Sequence, residues 1–193
     1  MLASSILIKK ICRYWAHRKD SWVSSEELDE EIRHHLFGLG IEVALCAEWI
    51  ARYREAAVKQ HNRFFQAWQK KEHEIALVEL HFFLNCLVCI LDFMRIIGNS
   101  IGDEVKAYVD SDTFPDHRDA RNHFEHIEDR LYGSKRNAPK EVFDEANPRT
   151  IHFGLKGSEQ TFQFGDQSID VSKAFLKKFL EFIDELIPIL MTK

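Results

Sequence analysis

The residues best equipped for chemistry lie in one short segment, Arg118-Asp-Ala-Arg-Asn-His-Phe-Glu-His-Ile-Glu-Asp-Arg-Leu. Its imidazoles exchange protons near neutral pH, and its guanidiniums are fixed planar cations. Together such groups suit acid–base chemistry beside a developing negative charge. Read as a helix, the segment has one apolar stripe, Ala120, Phe124, Ile127 and Leu131, which spans only about 60° at 100° per residue. The remaining surface is almost wholly polar. Asn122 and His126 are four residues apart and share a face, with Asp119 a turn below Asn122 and His123 beside it. Arg121 lies about 140° from His126 on an ideal helix. Bringing the two together requires an irregular helix start or two chains meeting on this face.

Arg121-Asn122-x-x-x-His126 resembles the Arg, polar residue, then His pattern of the HEPN superfamily (higher eukaryotes and prokaryotes nucleotide-binding domains). A loose search for Arg followed by His finds three pairs, Arg54/His61, Arg118/His123 and Arg121/His126. Requiring Asn after the Arg leaves the last. The resemblance extends over roughly 25–190 as architecture: a compact helical bundle with a long first helix and the motif near the start of a later one. It implies a dimeric, metal-independent endoribonuclease of toxin–antitoxin or defence type. His126 would accept the proton of the ribose 2′-hydroxyl, and Arg121 would hold the charge developing on phosphate. Asn122 would orient His126 or hold a phosphate oxygen. His123 and Arg118 would bind substrate, with no metal or cofactor. A separately encoded antitoxin is an expected partner.

The opposing reading of the same residues is a solvated charged face. Arg121 can pair with Glu125, and His126 can sit near Arg130. Asp119, Glu125, Glu128 and Asp129 nearly cancel the neighbouring cations, a weak footprint for RNA. The second functional reading is therefore a non-catalytic binding or assembly module for a protein or nucleotide partner.

Other constellations point to structure. Cys86-Leu-Val-Cys89 has CxxC spacing but falls in an apolar helical run without a second pair, so core packing is the expectation. The ten histidines include His34/His35 and His123/His126, but Glu125 points away from the latter pair and no ligand set forms. Asn85, Asp92 and Arg95 interrupt the same apolar helix and are expected in buried polar networks. No Walker loop, dinucleotide glycine pattern or Gly-x-Ser-x-Gly elbow occurs.

The elements that must position these residues follow from periodicity. The 193 residues are 45% hydrophobic and 30% charged, with 8 Gly, 4 Pro and 15 Phe, which excludes a disordered chain and disfavours a many-turned β-sandwich. A net charge of −5 excludes a general nucleic-acid coat. The four cysteines, Cys12, Cys46, Cys86 and Cys89, lie among apolar residues, as expected of buried thiols in a cytoplasmic protein. The short apolar start runs into Lys9, Lys10 and Arg13, the reverse of a signal peptide. The run Leu80 to Leu91, bounded by Glu79 and Asp92, reads as a core helix rather than a membrane span.

The expected fold is mainly α: a four-to-five-helix up-and-down bundle with a small β-hairpin inserted before the last helix. Residues 1–22 form a basic arm or short helix, and 23–193 the helical domain. Its first helix covers 25–57, with a kink or close approach at Gly38 and Gly40. A turn and more helix follow at 58–72. A central helix spans 73–98 and ends at Gly98-Asn99, and a short one covers 101–110. The motif helix covers 116–132, started by Pro115. The period changes to two in Thr150–Leu155 and Thr161–Phe164, a hairpin within about 150–171 whose second strand Ser168–Val171 extends. Ser172 caps the final helix.

Overall fold

The computed structural model describes residues 30–111, 114–125, 153–156, 160–164 and 167–193. Among these are six helices: α1 (Glu30–Leu39), α2 (Ile41–Gln69), α3 (His73–Ile101), α4 (Asp103–Asp110), α5 (Pro115–Glu125) and α6 (Lys173–Leu190). A three-stranded antiparallel sheet precedes the last helix: β1 (Phe153–Lys156), β2 (Thr161–Phe164) and β3 (Gln167–Asp170). The protein is thus mainly helical with a small late sheet. The expected arm at 1–22 lies outside the described residues.

Three element boundaries differ from the periodic reading. The first helix breaks at Gly40, whose φ of 135° is closed to ordinary side chains, so α1 and α2 are separate. Conversely, no turn interrupts 58–69. Ala57, His61, Phe64 and Ala67 are all buried and continue the inward face through residues that look polar in sequence. The turn comes later, at Lys71 (φ 62°), where the Glu72 N–H donates to Ala67 O at 3.0 Å. The central helix also runs past Gly98 to Ile101. A Cβ at Gly98 would stand 3.1 Å from Lys106 Cα, so this glycine permits close approach of α4 rather than ending α3.

Contacts divide the described elements into two units. The first takes α1, α2 as far as Ala57, α3 from Cys89, α4, and α6 from Lys178. Its core includes Ile32, Leu36, Val43, Ile50, Met94 and Leu186, the positions that recur at helical spacing. Polar ties join its helices. Arg54 reaches both carboxylate oxygens of Asp184 at 3.0 and 2.9 Å. The Tyr108 hydroxyl donates to Phe182 O at 2.6 Å, and His35 Nε2 donates to Leu190 O at 3.1 Å. Burial, then the neighbouring Glu185 carboxylate, pushes the Tyr108 phenol above its ordinary range.

The second unit takes Val58–Val88 and the chain from Phe114 to Lys177. Its core is built on rings: Phe64, Phe83 and Phe162 are fully buried, and Phe162 meets Phe64, Trp68 and Phe124 with ring centroids 6.2–6.3 Å apart. The sheet supplies one apolar face, because its register places Leu155 opposite Phe162 and Phe162 opposite Ile169. Ser168–Asp170 does not extend the second strand. It folds back as β3 and pairs antiparallel with β2.

By length and composition α3 is apolar enough to cross a membrane, and half of its most apolar stretch is buried within the protein. Leu80, Leu84, Leu87, Ile90 and Leu91 of this helix are buried.

Candidate functional site

The motif segment is helical as expected where it is described, from Pro115 to Glu125. Proline suits that first position because its fixed φ fits a helix and its missing N–H has no intrahelical partner to lose. Ala120 and Phe124, the first half of the expected stripe, face inward at 0% and 8% exposure. Phe124 lies against the His81 ring of α3 and Phe162 of β2, with centroids 5.8 and 6.2 Å away. This anchoring sets which side of α5 is available. Ile127, Leu131 and His126 lie outside the described residues.

Of the candidate site residues, Arg118, Arg121 and Asn122 lie on α5 and are each half-buried, and His123 is on the same helix. The side chain of Arg121 is 22% exposed. Its guanidinium Nη1 pairs with the Glu125 carboxylate one turn on, the contact expected of a plain helical ion pair. Its Nε–H is buried and, among the described residues, has no hydrogen-bond acceptor. Burying an N–H without an acceptor is costly, and a charged donor costs more than a neutral one. Arg121 thus holds a neutralising partner on one edge and an unused donor on another. An oxyanion placed against Nε would satisfy that donor.

The helix carries a residue that the periodic reading missed. His117 is 6% exposed. Its Nε2–H donates to the Asp170 carbonyl at 2.8 Å, since a carbonyl can only accept. Its ring stacks on Phe175 of α6, with centroids 3.9 Å apart and planes 7° from parallel. The signal was present in the spacing: His117 precedes Ala120 by three residues and Phe124 by seven, which places it on the inward face.

A second buried histidine, His61 of α2, is 1% exposed and donates from Nε2 to the adjacent carbonyl, that of Val171, at 2.8 Å. Among the described residues its Nδ1 has no hydrogen-bond partner. Burial pushes its pKa below the ordinary 6.5, an effect only partly offset by the hydrogen bond to Val171 O, while Lys173 adds to it.

The remaining constellations take structural places. Cys46 and Cys86 are buried free thiols and Cys89 is half-buried, with Cys86 and Cys89 both inside α3. Burial, then the charge of Glu42, raises the Cys46 thiol pKa. Asp92 and Arg95 pair with each other on a partly exposed side of α3 at 3.4 Å, because their spacing of three turns them to one face. Among the described residues no group of three or more His, Cys, Asp or Glu could hold a metal ion. Compared with family models, curated proteins and solved structures, the chain matches none.

Proposed function

We propose that the chain is a HEPN-like, metal-independent endoribonuclease acting through Arg121, Asn122 and His126, with His123 and Arg118 binding the substrate. Its homodimer would complete the site, and a toxin or defence role with a separate antitoxin is the matching biological setting. The observation that carries the reading is the state of Arg121: a half-buried guanidinium at the motif position with a buried, unused Nε–H donor. In the proposed reaction His126 takes the proton from a ribose 2′-hydroxyl. The 2′-oxygen attacks the adjacent phosphorus as the bond from phosphorus to the 5′-oxygen breaks, and the departing 5′-oxygen takes a proton from solvent water. The products are a 2′,3′-cyclic phosphate and a 5′-hydroxyl. Arg121 balances the extra charge on the phosphoryl oxygens as they pass through the transition state.

A second reading, a non-catalytic binding or assembly module, is favoured by the Arg121–Glu125 ion pair, which already neutralises the cation. The two are separated by incubating the full chain with mixed tRNA and messenger RNA in excess EDTA, beside Arg121→Ala and His126→Ala. The nuclease reading expects cleavage with cyclic-phosphate ends, reduced at least about a hundredfold in each variant. No cleavage under any condition, with all three proteins folded and equally dimeric, would overturn the nuclease reading in favour of the binding one.

A further inference from the structure

The two buried histidines converge on one joint of the chain. His117 of α5 donates to the Asp170 carbonyl and His61 of α2 donates to the Val171 carbonyl, each at 2.8 Å. These are consecutive acceptors at the end of β3. The joint is held from inside as well: the Ser172 N–H donates to the Asp170 carboxylate at 2.8 Å, and the Phe175 N–H donates to the Ser172 hydroxyl at 3.0 Å. The Val171 N–H donates to Gln160 O at 3.1 Å. Both imidazoles are enclosed by rings, His61 by Phe65 and Phe83, and His117 by Phe114 and Phe175. Tilted and edge-on ring contacts around His61, and stacking on Phe175 for His117, restrict the plane of each imidazole, and the carbonyl fixes its rotation.

We propose that His61 and His117 form a paired imidazole clamp on Asp170–Val171, and that His117 is the residue that positions α5 and its Arg121–Asn122 face. The second half of the proposal rests on the nuclease reading above. His117 sits in the first turn of α5, one turn before Arg121 on the same short helix. Ala120 and Phe124 supply apolar contact but no direction. The His117–Asp170 bond supplies direction, because a buried N–H held at 2.8 Å from a carbonyl resists both sliding and rotation of the helix. A side chain of similar bulk without the donor leaves the Asp170 carbonyl without that donor.

The test compares the full chain with His117→Leu and His117→Gln by amide hydrogen exchange and by RNA cleavage in EDTA. Leu keeps the bulk and removes the donor, whereas the Gln side-chain amide offers an N–H near the position of Nε2. The expected result is exchange about tenfold faster over 115–125 and 167–172 in His117→Leu, the scale of one lost buried hydrogen bond. Residues 178–190 should keep their protection, and His117→Gln should recover most of the loss. The cleavage rate at saturating RNA should fall about tenfold in His117→Leu with KM nearly unchanged, and recover in His117→Gln. Equal exchange in all three proteins, or a rise spread evenly over the whole chain, overturns the clamp. Local exchange changes in a wild-type protein that cuts no RNA uphold the clamp and overturn the nuclease reading alone. Local exchange changes with unaltered cleavage overturn the positioning role.

Discussion

Arg121 decides what the candidate site can do, and Glu125 decides how much of Arg121 is free to do it. A guanidinium paired one turn along its own helix is nearly neutral to a distant anion. An incoming phosphate must compete with that carboxylate or share the cation through Nε. Glu125→Gln keeps the shape and removes the competing charge. In the nuclease reading this substitution lowers KM for RNA about three- to tenfold, the scale of one partly exposed ion pair, measured by cleavage kinetics at fixed ionic strength. An unchanged KM would show that the pair does not compete with substrate. The spacing of Arg121 and Glu125 made this pair legible in the sequence. The orphaned Nε was not legible, because whether an N–H finds an acceptor depends on what lies beside it in three dimensions.

At the scale of the element, the helices begin and end where local chemistry says they should, except where packing intervenes. Ser172 caps α6 through its hydroxyl, as its position before an amphipathic run implied. Ser172→Ala should cost about 1 kcal/mol in chemical denaturation, and Ser172→Asp should restore most of it. The Arg54–Asp184 pair ties α2 to α6 with two hydrogen bonds. Asp184→Asn should cost about 1 kcal/mol, with a smaller loss in high salt because Asp184 is partly exposed. Neither partner is predictable from the other in sequence, since they lie 130 residues apart. The third strand was missed for a different reason. Alternation identifies that residues are extended, but strand number depends on where the chain reverses and which strand pairs with which.

For the whole molecule, the buried His61 makes stability depend on pH. The folded protein holds His61 neutral. In the cation Nδ1 would carry a hydrogen, and in the structure no acceptor stands beside it. Its folded pKa therefore lies below the unfolded value near 6.5, so the unfolded chain binds a proton first as pH falls. Stability from this group is present above pH 6.5. It declines as pH drops through that value toward the lower folded pKa, by at most about 1.4 kcal/mol per pH unit. Thermal unfolding should show a Tm that falls between pH 7.5 and 5.5. His61→Gln should be less stable at pH 7.5 yet show a shallower fall. A fall of equal steepness in the variant would assign the pH dependence to other groups.

The sequence by itself determined the class of the fold, the helix carrying the polar segment and the apolar rows Ile32/Leu36/Val43 and Ala120/Phe124. It could do so because helical periodicity and capping are short-range properties written in neighbouring residues. It also carried the Arg121–Glu125 pair, whose partners are one turn apart. Tertiary structure alone decided that His61 and His117 grip adjacent carbonyls, and that Arg121 keeps a donor without an acceptor among the described residues. Histidine is polar enough to read as surface and apolar enough to be buried once its nitrogens are met. The acceptor that meets each ring lies 110 residues away for His61 and 53 for His117, beyond the reach of any local pattern.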